Sequence, residues 1–129
     1  MNGWLIAAAA LLVLVGSVHS VFGEILIFRR MRTGAGIPTN GGGVLREPHG
    51  RILWATWHLV SILGLPIAAG LAWLALPGNG ARVPSAVLLS IGAAMLAGSL
   101  LVFVATKGKH MGWAGLLGVA VLIGIGVSA

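Results

Sequence analysis

Two histidines and a glutamate lie where this chain is otherwise built for lipid. Gly16-Ser17-Val18-His19-Ser20-Val21-Phe22-Gly23-Glu24 falls inside the first long apolar run, and Trp57-His58-Leu59-Val60-Ser61 inside the second. An ionisable side chain at membrane depth is costly, so it faces a protein interior or a water-filled cavity and marks a functional-site candidate. Neutral imidazole is the commonest metal ligand. His19 and His58 on neighbouring helices can therefore ligate a haem iron from two sides. His19, Glu24, His58 and His110 together offer an N/O donor set suited to zinc, iron or another divalent metal. A histidine–glutamate pair can also relay protons. The plainer reading is structural: neutral imidazoles hydrogen-bonded to serines such as Ser20 and Ser61 or to helix carbonyls, with Glu24 paired to Arg29 or Arg51. No HxxxH or ExxH pair occurs within one segment, so any metal or haem site rests on tertiary placement. No catalytic set is read from the sequence.

These residues must be positioned by membrane helices. The chain is 58% hydrophobic and 8% charged, against about 25% charged in a soluble domain, so it cannot cover its own apolar surface in water. Four apolar segments are predicted, at roughly 4–28, 52–76, 83–106 and 111–129, each near the 17–25 residues that cross a hydrocarbon core. Backbone groups in lipid must be satisfied within the segment, so the fold class is all-α: an integral membrane four-helix bundle forming a single transmembrane domain. Met1-Asn2-Gly3 supplies no basic n-region, and the first segment is read as a retained helix rather than a signal peptide. Cysteine is absent, which removes disulfides, thiolate metal sites and covalent haem attachment.

Charge sets the expected orientation. Arg29, Arg30, Arg32, Arg46 and Arg51 flank the first connection, Lys107 and Lys109 the third, and Arg82 alone the second. The positive-inside rule then places the first and third connections in the cytoplasm and both termini outside it. Trp54, Trp57 and Trp113 are expected at the inner boundary, with Trp4 and Trp73 at the outer one. The basic loop 29–50 reads as turn and flexible-linker chemistry, from Thr33-Gly34 to Asn40-Gly41-Gly42-Gly43. No Gly-Lys-Ser/Thr follows it and no strand precedes it, so it is not read as a nucleotide loop. Its arginines suit anionic lipid head groups, and no nucleic-acid partner is expected.

Helical periodicity says which faces are buried. On segment one, Gly16, Ser17, His19, Ser20, Gly23 and Glu24 fall within one arc, opposite Leu11, Leu14, Val15, Val18, Val21, Phe22 and Ile25. On segment two, Arg51, Trp54, His58, Ser61, Leu65, Ala68 and Ala72 form a stripe, and Pro66 is a candidate kink. Segment three offers Ser90, Ala94 and Gly98 as a small-residue stripe, and segment four offers Gly112, Gly115 and Gly118. At 1.5 Å per residue, Glu24, His19 and His58 lie roughly 8, 15 and 10 Å from their flanking arginines, which places all three in one layer.

His19-Ser20-x-x-Gly23-Glu24 followed by Trp57-His58-Leu59-x-Ser61 resembles a group of uncharacterised small four-helix bacterial membrane proteins. These carry an HSxxGE first helix, a basic loop and an R-x-x-W-H-L-T-S-like second helix. The likeness covers about the first half of the chain, and it departs where Trp54 stands in the arginine's place and Arg51 one turn earlier. It implies that His19, Glu24 and His58 belong together, and it implies no activity. In plan alone the chain is similar to the small multidrug-resistance exporters, which also have four helices and a carboxylate on the first. The expected function is a structural or accessory subunit of a bacterial inner-membrane complex, with a membrane-protein partner or a homo-oligomer. The alternatives are a metal- or haem-binding redox protein and a small proton-coupled transporter.

Overall fold

Asn2 opens the first helix. Its Oδ1 accepts the free amides of Trp4 and Leu5 at 3.2 and 3.3 Å, the work of an N-cap side chain. In the computed structural model, which describes residues 1–129 apart from residue 35 and residues 80–83, the chain is all-α. The described residues form four α-helices, α1 Gly3–Leu26, α2 Glu47–Leu74, α3 Ser85–Thr106 and α4 Gly112–Ser128, with a short 3-10 turn at Phe28–Met31. Arg82 and the predicted start of the third segment at Val83 lie outside the described residues.

Three spans, Gly3–Met31, Glu47–Leu74 and Ser85–Thr106, are long and apolar enough to cross a membrane. The chain is an integral membrane protein on that ground. The fourth predicted segment forms a shorter apolar helix, Gly112–Ser128. The second helix starts earlier than its apolar pattern predicts, at Glu47 instead of residue 52. Pro48 sits in the first turn, where its missing N–H has no partner to lose. Glu47 adds a negative charge at the positive end of the helix dipole. The candidate kink does not interrupt α2, which runs through Pro66.

The chain divides into two compact units, Met1–Val15 with Gly64–Ala129, and Gly16–Leu63. The first unit has a core drawn from all four helices. Leu5, Ala8, Ala9 and Leu12 of α1 meet Ala68, Leu71 and Leu74 of α2, Leu88 of α3, and Val119 and Ile123 of α4. The 5-8-9-12 and 68-71-75 spacings keep one face of each helix inward. Alanine at several of these places lets backbones approach closely. Asn2 ties the ends together: its amide donates to Ala75 O at 2.8 Å and its Nδ2 to Gly126 O at 2.7 Å.

Of the small-residue stripe predicted on α3 only Gly98 packs, against Leu116 of α4. Ser90 and Ala94 are exposed, and Ser90 Oγ donates back to Ala86 O at 2.7 Å. The packed face carries Leu88, Gly92, Met95 and Ser99 instead, and Ser99 Oγ reaches Trp113 O at 2.7 Å. A larger residue wins here because Leu88 fills the core, where a serine would leave a void. The glycines of α4 behave as their spacing predicts at Gly115 and Gly118. A Cβ there would come within 2.5 Å of Val15 and 2.9 Å of Leu11 on α1.

The second unit holds the other halves of α1 and α2 and the connection between them. That connection is folded, contrary to its linker-like composition. Thr39 and Asn40 both donate to Met31 O, Gly41 bridges Leu45, and Pro38 is fully buried. Gly42 and Gly43 turn the chain at φ 63° and 81°, a left-handed region that glycine enters without steric cost.

Candidate functional site

Within the second unit, α2 lays four polar side chains along α1 in antiparallel register. Ser61 Oγ donates to Gly16 O at 2.9 Å, and Trp57 Nε1 to His19 O at 3.0 Å. His58 Nδ1 lies 3.0 Å from Ser20 Oγ, and Trp54 Nε1 donates to Glu24 Oε2 at 3.1 Å. Positions 54, 57, 58 and 61 share one face at i, i+3, i+4, i+7, as do 16, 19, 20, 23 and 24. Two helix carbonyls of α1 thus use their second lone pair to accept from α2. The predicted arcs on α1 hold with these exceptions: Ser17 is exposed with the apolar Leu14, Val18, Val21, Phe22 and Ile25, and Leu11 and Val15 pack against the glycines of α4. On α2 the stripe holds at Trp54, His58, Ser61 and Ala68, while Arg51 and Leu65 are exposed.

Glu24 is the node. The Arg32 guanidinium pairs with its Oε1, Trp54 holds Oε2, and His58 Nε2 faces Oε2 at 3.6 Å. Arg32 follows the 3-10 turn, and it also donates to Gly36 O. Neither Arg29 nor Arg51, the partners expected from the sequence, reaches this carboxylate. Arg51 bonds Glu47 at 2.6 and 2.9 Å on the surface of α2, an exposed i,i+4 pair worth about 0.3–0.5 kcal/mol. The tightened turn and the loop behind it swing Arg32 back, a geometry that helical periodicity does not contain.

Aromatic packing encloses the layer. Trp57 stacks on the His19 ring at 4.3 Å and 7°, and Phe28, 2% exposed, meets Trp57 edge-on at 5.7 Å. Trp54 lies edge-on to His58 at 5.1 Å. Both tryptophans were expected to mark a membrane boundary; here their N–H groups point inward to α1. The signal was present in Trp54, which shares the His58 stripe, and in the glycine opposite Trp57. A Cβ on Gly23 would stand 2.0 Å from Trp57 Nε1, so glycine is required for this approach.

The sequence-predicted ligands separate into two groups. His58 meets Glu24 and Ser20, and Ser61 lies one turn along the same face. His19 instead offers its carbonyl and its ring to Trp57. His110 belongs to the first unit, where its Nδ1 accepts the Gly112 amide at 3.0 Å at the start of α4. Among the described residues no three His, Cys, Asp or Glu side chains come together to hold a metal ion. The Arg32 guanidinium already occupies the carboxylate that a divalent cation would need. Haem ligation by His19 and His58 would require His19 to leave its stack on Trp57 and the His58 ring to turn away from Ser20 and Glu24.

Ser20, His58 and Glu24 stand in line as hydroxyl, imidazole and carboxylate, but the arrangement is not that of an acyl-transfer enzyme. Ser20 lies inside α1, where the backbone N–H groups around it are bonded within the helix and none is aimed at an oxyanion. In the tautomer where the Ser20 hydroxyl donates to Nδ1, the ring proton sits on Nε2, toward Glu24; in the other, Nδ1 donates to Ser20 and Nε2 carries a free lone pair. At 3.6 Å that contact is too long for a hydrogen bond. Nε2 is the buried side-chain polar atom left without a partner among the described residues. Comparison of the chain with family models, curated proteins and solved structures returns no match.

Proposed function

We propose that this protein is a structural or accessory subunit of a complex in the bacterial inner membrane. The observation that carries the reading is the state of Glu24. Glu24, one of the two acidic side chains of the chain, is engaged at both oxygens in holding its own fold, Oε1 by Arg32 and Oε2 by Trp54. A carboxylate held in this way clamps α1 to α2 and to the connection behind them. The outer faces, with Val21, Phe22 and Ile25 on α1, Val60 and Leu63 on α2, and Leu100, Leu101 and Val104 on α3, are apolar and exposed, fit for lipid or a membrane partner. Purification of the tagged chain in mild detergent, read by native mass spectrometry, should return a stoichiometric membrane-protein partner or a homo-oligomer. Recovery as a bare monomer at every detergent level would count against it.

The resemblance to small bacterial HSxxGE proteins supports the same placement. Positive-inside charge sets the connections at 29–51 and 107–111 in the cytoplasm. The short α4 completes the crossing in this reading. It runs antiparallel to α1, with Gly115, Gly118 and Gly126 facing Val15, Leu11 and Leu5 in turn. Its 17 residues span about 26 Å, close to the hydrocarbon thickness. A reporter fused after Ala129 should therefore read as extracytoplasmic. A cytoplasmic reading there would mean that α4 stays on one side or that the whole orientation is reversed.

A second reading has its own observation. In the tautomer whose Nδ1 donates to Ser20, the unpartnered His58 Nε2 beside Glu24 is where a small proton-coupled transporter would take up a proton, since a protonated imidazole gains an ion pair with that carboxylate.

A further inference from the structure

The chain has eight lysines and arginines but only two acidic side chains, Glu24 and Glu47. The fold assigns both acids: Glu24 takes Arg32 and Glu47 takes Arg51. Arg29, Arg30 and Arg46 are exposed and without an ion-pair partner among the described residues. No acidic side chain of the chain remains for them, so their counter-charge comes from outside it.

We propose that Arg29, Arg30 and Arg46 form a binding surface for the phosphate of an anionic phospholipid. Arg29 and Arg30 stand on the 3-10 turn that closes the apolar span Gly3–Met31. Ile25, Leu26 and Ile27, 50, 53 and 40% exposed, precede them within about one turn. A ligand that fits must be apolar along the helix and anionic at its end, which a lipid satisfies and a nucleic acid or a free anion does not. The connection adds the third arginine. The bonds from Thr39 and Asn40 to Met31 O and the bridge from Gly41 to Leu45 tie the segment before Arg46 back to that turn. Guanidinium forks match phosphate oxygens two at a time. This surface needs only that the chain crosses a membrane, not that it serves as a subunit.

The test is lipid binding to the full chain in mild detergent, read by native mass spectrometry with dioleoyl phosphatidylglycerol and dioleoyl phosphatidylcholine. The anionic lipid should bind in clear preference, and the preference should weaken with added salt. Arg29→Ala with Arg30→Ala should reduce it about 25-fold, or roughly fivefold for each arginine at about 1 kcal/mol. Arg51→Ala, which removes a guanidinium already held by Glu47, should leave it unchanged. Arg29→Lys with Arg30→Lys keeps the charge and should keep part of the preference, so the test survives if the alanine variant does not fold. Equal binding of the two lipids, or equal losses from the Arg51 and the Arg29/Arg30 variants, would overturn the proposal. Displacement of the lipid by inorganic phosphate at equal concentration would also overturn it, because the site would then be one for a free anion.

Discussion

Gly23→Ala should unseat Trp57 and with it the contact between α1 and α2. The added methyl would lie 2.0 Å from Trp57 Nε1 and 2.6 Å from Cε2, against a rigid ring that has no flexible end to yield. To make room the indole must give up its bond to His19 O and its stack on the His19 ring. Overpacking of this kind costs about 1–3 kcal/mol, and a buried donor left unpaired adds about 1–3 more. The control is Gly16→Ala, two turns along the same face. Its Cβ would meet Ser61 at 3.8 Å, an ordinary contact, so that variant should unfold within about 0.5 kcal/mol of the parent. Denaturant unfolding in detergent, followed by tryptophan fluorescence, measures both. Equal stability of the two variants would mean that Trp57 does not sit against Gly23.

Glu24→Ala should also weaken the fold, by a different route. It strands the Arg32 guanidinium and leaves Trp54 Nε1 without an acceptor. One unpaired polar group costs about 1–3 kcal/mol, and removal of one member of a buried ion pair about 3–5 kcal/mol. Glu24 and Arg32 are 34% and 26% exposed, so the loss should fall toward the lower of these ranges. Glu24→Gln keeps one carbonyl oxygen for Trp54 but sets an amide NH2 where the acceptor for Arg32 was, so it loses the charge and that bond, and it should sit between the parent and Glu24→Ala. The same variant separates the two functional readings. In vesicles with an imposed pH gradient, a clamp that is only structural leaves proton leak unchanged in Glu24→Gln. A proton carrier at His58 and Glu24 gives flux in the parent that the glutamine variant lacks.

The class of molecule and the faces of its first two helices were legible in the sequence, because both depend on short-range properties. Low charge and long apolar runs decide the solvent, and 3.6-residue periodicity decides which side of a helix is polar. That periodicity set His19, Ser20 and Glu24 on one side of α1 and placed Trp54, His58 and Ser61 on one side of α2. Tertiary structure decided the pairings. Arg32 reaches Glu24 only because the helix tightens into a 3-10 turn and the connection folds back, and neither event follows a period. The third helix shows the same limit: Ser90, Ala94 and Gly98 repeat as regularly as Leu88, Gly92, Met95 and Ser99. Only the neighbour on α4, with Ile123 against Gly92 and Trp113 O accepting from Ser99, selects between faces that a lone helix leaves nearly equivalent. His19 and His58 lie at similar depth by counting residues, yet Trp57 takes one and Ser20 with Glu24 the other. Depth along an axis follows from residue number, whereas rotation about that axis and the partner across it are fixed by packing.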